Sequence, residues 1–501
     1  RRVAWLIHLC KLITVESDTG QCDRIVRRHS VAKIPYWVPD LMSNLRQDAV
    51  DIWNAGVDAV RAEPLVRREV TVEGSTLQVA EHQWDRDDFD RIIIVGAGKA
   101  GTALAAGLLT SVGDWLPAIG WVNVPEGTVR NLGPVTIHAA RPAGLNEPTE
   151  AGVAGAVEIL NLVRGAGPRD LCFAVISGGG SALLPAPIEG ITLEDKQQVT
   201  RFLSSAGADI TELNTVRKHL SRIKGGGLLS ECNAGELVTL VLSDVLGDPL
   251  DLIASGPTVP DPSTPKDAIA VLRQYDPHSE LSDRVYQTLK SLPTQSQHES
   301  NSTCRHCTIV IGNNALAVDE AGIVAEQRGF NHVMQSARQC EGPAEQIGER
   351  IAEMTIHMLR ADPDSHRNDC LITGGEPTVK LAPAKVRGRG GRNQQLVLAA
   401  YRTLLQSSLT NDDWGRLCIL SGGTDGEDGP TDAAGAVLDE AVHREASKQS
   451  LDVDDFLIRN DAYSFFEKVG GLLKTGPTGT NVCDLRVAVV SLDDSRRHRI
   501  S

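Results

Sequence analysis

The chain lacks long apolar runs and has no repeated pair of closely spaced cysteines. A membrane-spanning helix needs about 18 or more consecutive apolar residues. The 501-residue sequence contains no such run, so we expect no membrane partner. Of the ten cysteines only Cys304 and Cys307 stand close together, and no second pair completes a zinc site. Scattered thiols are typical of a reducing compartment, which predicts a cytoplasmic protein.

Positive charge and aromatic side chains are also scarce. Fifty Lys and Arg against 65 Asp and Glu give a formal net charge of −15. An acidic surface repels polyanions, so nucleic acid is disfavoured as the main partner, although a local basic pocket remains possible. Aromatics at 4%, together with 47 glycines, favour α/β layers with tight strand–helix turns over a β-sandwich.

Alternating apolar strands and helical patterns predict two α/β domains. Each is expected to be a mostly parallel sheet with helices on both faces, and the N-terminal domain is expected to be Rossmann-like. A polar stretch over 291–304 resembles a linker between a domain at 44–290 and a domain at 305–490. Residues 1–43 are predicted to be an extension outside the fold, because Met42 is followed by a helical pattern, and 491–501 a tail.

The first glycine-rich turn follows an apolar strand at 91–95 and precedes a helical pattern. Gly96, Gly98 and Gly101 match the dinucleotide-binding fingerprint in its usual context. Lys99 lies inside this turn, where a cation opposes the helix dipole unless an anion binds there. The turn therefore predicts either a dinucleotide site or a cradle for a phosphate or carboxylate.

Two further stretches offer groups that could bind an anion. The turn at 177–181 combines backbone N–H groups with two serine hydroxyls, and the basic helical stretch at 214–224 follows it. The glycine-rich loop at 385–395 carries Arg389 and Arg392, and each can donate paired hydrogen bonds to a phosphate or carboxylate.

The loop at 421–436 is unusually rich in glycine and acid. It follows a predicted buried strand and contains Asp425, Glu427, Asp428 and Asp432. Mg²⁺ prefers one or two carboxylates together with substrate phosphates. Asp244, at the end of another predicted strand, is a further candidate ligand. These acids predict a metal–phosphate site at the carboxyl ends of the strands.

Eight motifs in one order resemble the class II glycerate 2-kinases, whose C-terminal part is called the MOFRL domain. The motifs lie at 95–100, 176–181, 214–219, 243–258, 374–378, 390–394, 421–426 and 475–481. The resemblance covers about residues 44–490 and implies phosphorylation of D-glycerate at its 2-hydroxyl by ATP with Mg²⁺. It also implies two domains facing across an active-site cleft. One departure, Val482-Cys483-Asp484 in place of an Asn-Asp-Leu pattern, is interpreted as a packing variation.

The resemblance and the motifs together assign the expected site residues. Lys99 is the expected catalytic lysine and Arg392 the expected catalytic arginine, with Arg389 as the alternative arginine. The expected metal ligands are Asp244, Asp425 and Asp428. The expected binding residues for nucleotide and substrate are Gly96, Gly98, Gly101, Ser177, Gly178, Gly179, Gly180, Ser181, Asn214, Lys218, Glu376, Arg389, Asn393 and Thr424.

Two other functions compete with the kinase. An NAD(P)-dependent hydroxypyruvate reductase would use the dinucleotide fingerprint, but no evident acid–base pair for hydride transfer accompanies it. A regulatory module that binds a nucleotide or small acid would not need both a basic and an acidic cluster. Oligomeric state is left open between monomer and homodimer.

Overall fold

The computed structural model describes residues 44–142, 144–145, 147–293, 304–361 and 368–491. The predicted extension over 1–43 lies outside these residues, as do 294–303 of the predicted linker and 492–501 of the predicted tail. No helix in the described ranges is long and apolar enough to cross a membrane.

Strands and helices alternate along most of the described chain. The strands are β1 (Val70–Glu73), β2 (Thr76–Val79), β3 (His82–Asp85), β4 (Arg91–Ala97), β5 (Ala118–Pro125), β6 (Val135–Arg141), β7 (Asp170–Ser177), β8 (Glu236–Leu242), β9 (Arg305–Gly312), β10 (His332–Ser336), β11 (Cys370–Gly375), β12 (Leu417–Gly423), β13 (Gly435–Leu438), β14 (Leu472–Leu473) and β15 (Asp484–Val490).

The helices cover both faces of the larger sheets. They are α1 (Leu45–Ala59), α2 (Ala62–Glu69), α3 (Gly101–Val112), α4 (Glu150–Arg164), α5 (Gly180–Leu183), α6 (Leu193–Ser205), α7 (Ile210–His219), α8 (Gly227–Ser230), α9 (Pro265–Tyr275), α10 (Asp283–Ser291), α11 (Asn314–Gln327), α12 (Ala344–Arg360), α13 (Arg392–Gln406), α14 (Asn411–Trp414), α15 (Glu440–Lys448), α16 (Val453–Ile458) and α17 (Ala462–Val469). Short 3-10 turns occur at Arg86–Asp88, Glu126–Thr128 and Ile253–Ser255.

The first large sheet has six strands in the order β6-β5-β4-β7-β8-β9, and all neighbouring pairs are parallel. Alternate residues of β4 enter different cores, with Ile92 and Ile94 in one cluster and Ile93 and Val95 in the other. A strand buried on both faces needs such a continuous β-branched run. The α/β class and the parallel Rossmann-like sheet predicted from sequence are confirmed.

The second large sheet, in the order β10-β11-β15-β12-β13-β14, is mixed rather than mostly parallel. Only β10 and β11 pair in parallel, whereas β15 runs antiparallel to both of its neighbours. β12 and β13 also pair antiparallel and are joined by the loop over 424–434. The expectation of a mostly parallel second sheet is wrong, since apolar runs followed by glycine turns do not encode strand direction.

The two large sheets with the helices that pack on them form the two halves of the molecule. Two elements belong to the half opposite to the one that the predicted domain boundaries assign. β9, expected at the start of the second domain, forms the edge of the first sheet. α1, expected in the first domain, packs against the second sheet, where the Trp53 Nε1–H donates to the Leu485 carbonyl at 3.1 Å. A third, small antiparallel sheet of β1, β2 and β3 lies beside the first core.

Lys196 on α6 is expected to make the free energy of unfolding depend on pH. Its ammonium is buried and donates to the Leu220 carbonyl at 2.7 Å, and burial together with Arg217 lowers the pKa of Lys196 to about 7. Between pH 7 and about 10 the unfolded chain holds a proton that the folded chain has released, so this group makes the folded state more stable as pH rises. Relative to Lys196→Met, the free energy of unfolding of the unmodified protein should rise by about 1.4 kcal/mol per pH unit.

Urea denaturation at pH 7, 8 and 9 measures this difference. Lys290→Met, at an exposed lysine on α10, is the control. A difference between the unmodified protein and Lys196→Met that stays constant with pH would contradict the predicted titration.

Candidate active site

The first glycine-rich turn is held against the turn that follows β7. The Lys99 amide donates to the Gly178 carbonyl at 2.8 Å, and the Ala100 amide donates to the Ser177 hydroxyl at 3.0 Å. A Cβ on Gly98 would lie 2.0 Å from Ser177 Oγ, at a φ of +148°. Glycine is required there for the approach of two protein turns, which adds a packing reason to the fingerprint predicted from sequence.

The other predicted glycines of these turns also mark close packing. A Cβ on Gly96 would lie 2.0 Å from the Val175 carbonyl oxygen, and one on Gly101 would lie 2.9 Å from Val122 Cγ1. A Cβ on Gly180 would lie 2.9 Å from Ala254 Cβ. These glycines bring the carboxyl ends of neighbouring strands together.

Lys99 extends from the first half of the molecule to the acidic loop of the second. Its Nζ lies 3.3 Å from Asp425 Oδ2, and its side chain is 40% exposed. An exposed ion pair of this length contributes little to stability. The ammonium is therefore accessible to an incoming anion, and the catalytic role of Lys99 stays a prediction.

Asp244, after β8, completes a group of acids from both halves. A Cβ on Gly178 would lie 2.1 Å from Asp244 Oδ2, so the carboxylate borders the 177–181 turn. Burial and the nearby Glu376 and Asp425 raise the pKa of Asp244 to about 6, against the opposing effect of Lys99. The Cys483 thiol donates to the Asp244 carbonyl at 2.9 Å, which links the loop before β15 to the first sheet.

Arg392 begins α13 and is fixed by two carboxylates. Its Nε and Nη2 donate to Asp484 at 2.7 and 3.0 Å, and its Nη1 donates to Glu376 Oε1 at 2.8 Å. Asp484 is fully buried, whereas Glu376 is partly exposed. Burial opposes the charge on Arg392, but Asp484 and Glu376 outweigh it and raise the pKa of the guanidinium. The structure thus joins Arg392, the expected catalytic arginine, to Glu376, an expected binding residue.

Arg389, the alternative arginine, lies against a different surface. Its guanidinium stacks over the Tyr463 ring at 4.1 Å, and its backbone amide donates to Asp461 at 2.9 Å. Within the described residues, the Arg389 side chain makes no hydrogen bond or ion pair with Glu376, Asp484 or the acidic loop. Among the two predicted arginines, Arg392 is the one that the structure places beside the acids.

Asp428, a predicted metal ligand, is engaged by the start of α13. Its carboxylate accepts from the Asn393 and Gln394 amides at 3.0 and 2.8 Å and from the Asn393 side chain at 3.3 Å. Burial raises its pKa to about 7. These contacts give Asp428 a helix-capping role and leave Asp244 and Asp425 as the predicted metal ligands that border Lys99.

Asn393 and Thr424, predicted to bind ligand, are buried within the scaffold. The Asn393 side chain donates to Asp484 at 3.0 Å and accepts from the Ser421 hydroxyl at 2.6 Å. The Thr424 hydroxyl donates to the Cys483 carbonyl at 2.7 Å and accepts from the Val482 amide at 2.9 Å. Both side chains position Asp484 and the acidic loop.

A second polar cluster lies beside the 177–181 turn. The Lys224 ammonium donates to the Ser181 hydroxyl and carbonyl at 2.8 and 2.9 Å, and Ser255 Oγ donates to Asn214 Oδ1 at 2.9 Å. Burial and the cations Lys196 and Arg217 lower the pKa of Lys224 well below its ordinary value. Ala254 and Ser255 have φ values of +51° and +63°, a strained conformation for residues other than glycine.

Lys218, another predicted binding residue, already has acidic partners. Its ammonium lies 3.3 Å from Asp251 and 3.4 Å from Asp261. The structure therefore separates Lys218, which is paired with carboxylates, from Lys224, which is surrounded by neutral oxygens.

Asp484 and Ser255 lie beside the candidate site and were not predicted, and Lys224 was noted only as part of the basic stretch at 214–224. Asp484 stands at the departure from the family pattern that was interpreted as packing, yet it orients Arg392. Lys224 directly precedes three glycines, and Ser255 precedes Gly256. Those glycines were the available sequence signal.

The acids can hold a divalent cation only with help from a ligand. Within the described residues, no group of three or more His, Cys, Asp or Glu side chains is arranged to hold a metal ion. Mg²⁺ commonly takes one or two carboxylates and completes its shell with phosphates and water. Asp244 and Asp425, which both lie near Lys99, fit that pattern.

Lys99 and Arg392 stand beside acids where loops of the two large sheets meet. Phosphotransferases use sites of this kind. Residues 48–290 match the model for a domain of unknown function, DUF4147, and residues 369–484 match the MOFRL family. The chain is 37% identical to a glycerate kinase of Danio rerio, covering 90% of this chain and 98% of that one.

Thermotoga maritima provides a relative of known structure. The chain is 37% identical to its D-glycerate 2-kinase, covering 80% of this chain and 91% of that one. The crystal structure of the T. maritima glycerate kinase superposes with a TM-score of 0.75 at 34% identity, covering 89% of this chain and 99% of that one. The chain belongs to the glycerate kinase family, and it is a kinase.

Proposed function

We propose that the protein phosphorylates D-glycerate at its 2-hydroxyl with ATP, giving 2-phosphoglycerate and ADP in the cytoplasm. The observation that carries the proposal is that Lys99, Asp244 and Asp425, which follow strands of both large sheets, lie close together. Phosphoryl transfer depends on positioning and charge neutralisation more than on covalent catalysis. A site with cations and acids from both halves supplies these needs.

Lys99 and Arg392 have different tasks in this proposal. Lys99, on a flexible stem and paired with the partly buried Asp425, moves its ammonium from Asp425 to the transferring phosphoryl group. Arg392 is held by buried Asp484 through Nε and Nη2, which leaves Nη1 as the nitrogen that can exchange its acceptor, the more exposed Glu376, for the phosphoryl oxygens. Both contacts are strongest when negative charge builds in the transition state.

Asp244 and Asp425 are the residues that would hold Mg²⁺ together with the ATP phosphates. The bound ion would neutralise phosphate charge. The Gly178–Ser181 turn lies between Asp244 and Lys224 and is proposed to line the substrate end of the cleft. Closure of the two halves around both substrates would exclude water, whose attack on ATP is the competing reaction.

Product analysis tests the proposed reaction. The full chain is incubated with D-glycerate, ATP and Mg²⁺, and the products are assigned by ¹³C and ³¹P NMR. A phosphate on C2 is the expected result, and a phosphate on C3 would contradict the regiochemistry. NADH oxidation with hydroxypyruvate, in the absence of any phosphorylated product, would instead support the reductase.

Asp244→Asn is expected to raise the Mg²⁺ concentration for half-maximal activity by about 10- to 100-fold, because a carboxylate ligand is lost. Titration of Mg²⁺ at saturating ATP measures the change. Asp432→Asn is the control, since Asp432 is an exposed acid of the 421–436 loop that pairs with Lys474 at 2.9 Å. An equal response in both variants would argue against metal binding by Asp244.

A further inference from the structure

Arg141 is a buried cation at the carboxyl ends of the first sheet's strands, the same end at which Lys99 follows β4. It is the last residue of β6, which pairs with β5 in the first sheet, and it is only 4% exposed. Its Nε is enclosed and has no hydrogen-bond partner in the described part of the chain. Burial alone accounts for the lowered pKa of Arg141, with no carboxylate acting in the other direction. Arg486, another buried arginine whose Nε has no partner in the described residues, is by contrast paired with Glu341 through Nη2 at 2.7 Å.

A guanidinium in this state is costly to keep. Arginine remains protonated even when buried, and an unpaired buried charge loses hydration that nothing in the protein replaces. Truncating one partner of a buried ion pair strongly destabilises a protein for the same reason. We therefore expect an unpaired arginine beside the site to bind an anionic ligand.

The position of Arg141 connects it to the phosphoryl-transfer groups. A Cβ on Gly179 would lie 3.5 Å from Arg141 Nη2 and 3.5 Å from Lys99 Cγ, so both cations border this one glycine. Gly179 has a φ of +76°, which favours glycine and keeps the space between them open. The neighbouring Gly178 borders Asp244 in the same way.

We propose that Arg141 binds the carboxylate of the hydroxy acid that accepts the phosphoryl group. The proposal rests on the proposed function for the identity of that acid. Lys99 and the metal-binding acids serve the phosphates, which leaves Arg141 for the second anion of the reaction. A planar guanidinium can hold a carboxylate through two parallel hydrogen bonds.

The same contact would select the hydroxyl that reacts. In glycerate the 2-hydroxyl is on the carbon next to the carboxylate, and the 3-hydroxyl is one carbon further away. A carboxylate held by Arg141, beside Lys99, brings the nearer hydroxyl to the phosphoryl group. Arg141 is thus a specificity-determining residue for 2-hydroxy acids.

Arg141→Gln tests the proposal by equilibrium binding without turnover. Calorimetry with a non-hydrolysable ATP analogue present should show D-glycerate binding weakened by about 10- to 150-fold, the effect of losing charge-assisted hydrogen bonds. Affinity for the ATP analogue alone should change less than about threefold, well below that loss. Arg305→Gln is the control, because Arg305 is an exposed arginine at the start of β9, at the opposite end of the sheet's strands. Arg141→Lys, which keeps the charge but loses the paired geometry, should give an intermediate affinity and serves if Arg141→Gln does not fold.

Each outcome decides the proposal. Weakened binding of the ATP analogue with unchanged D-glycerate binding would assign Arg141 to a phosphate and overturn it, as would unchanged binding of both or no D-glycerate binding by the unmodified protein. Loss of D-glycerate binding in Arg141→Gln supports it even when the unmodified protein forms no phosphorylated product, a result that would refute only the proposed reaction. Where product does form, Arg141→Gln should also increase the share of phosphate on C3.

Discussion

Lys99→Ala is expected to lower kcat for glycerate phosphorylation by about 10²–10³-fold, the usual effect of removing one preorganised charge from a transition state. The fold should be nearly unaffected, because the ion pair with Asp425 is partly exposed at 3.3 Å and such pairs contribute about 0–1 kcal/mol. Steady-state kinetics, together with thermal denaturation, separates the two effects.

Lys474→Ala is the matched control for Lys99. Lys474 also pairs with an acid of the 421–436 loop, Asp432, at 2.9 Å. It should retain kcat within about twofold, as expected for a surface charge outside the site. A similar loss in both variants would mean that Lys99 acts only through the charge of the loop.

Arg392→Ala is expected to lose both activity and stability. Removal of the guanidinium leaves Asp484 fully buried without its cation, which should lower the free energy of unfolding by about 3–5 kcal/mol. Adding Asp484→Asn removes the uncompensated charge, so the double variant should regain much of the stability. Activity should stay low, because the asparagine restores packing and not the positive charge at the phosphoryl group.

Denaturation and kinetics on Arg392→Ala, Asp484→Asn and the double variant complete this cycle. Recovery of activity together with stability would show that Arg392 has only a structural role. Arg389→Ala discriminates the two predicted arginines. A loss of kcat there larger than in Arg392→Ala would transfer the catalytic assignment to Arg389.

Local sequence patterns predicted the first sheet well and the second sheet poorly. β4 and β7 are β-branched or apolar runs that end in glycine turns, and a parallel strand buried on both faces needs little else. The second sheet depends on β15, which enters between β11 and β12 from the far end of the chain. Pairing between segments so distant in sequence has no signature in the local composition of either strand.

The residues of the candidate site also differ in whether local sequence patterns could identify them. Lys99 and Asp425 stand in glycine-rich turns whose composition marks them. Arg392 required the family resemblance to be preferred over Arg389, since both lie in one basic loop. Asp484 and Arg141 could not be identified in this way, because their importance comes from partners that they have or lack in three dimensions.

The crossing of α1 onto the second sheet has a mechanical consequence for the two halves. The described part of the chain begins on the second sheet with α1, builds the first sheet from β4 to β9, and returns to the second sheet with β10. The halves are therefore joined by two covalent connections rather than one. Two fixed connections define a hinge line, about which rotation is easy and across which twisting is resisted. Opening and closing would then carry Asp425 toward and away from Lys99 along one reproducible arc.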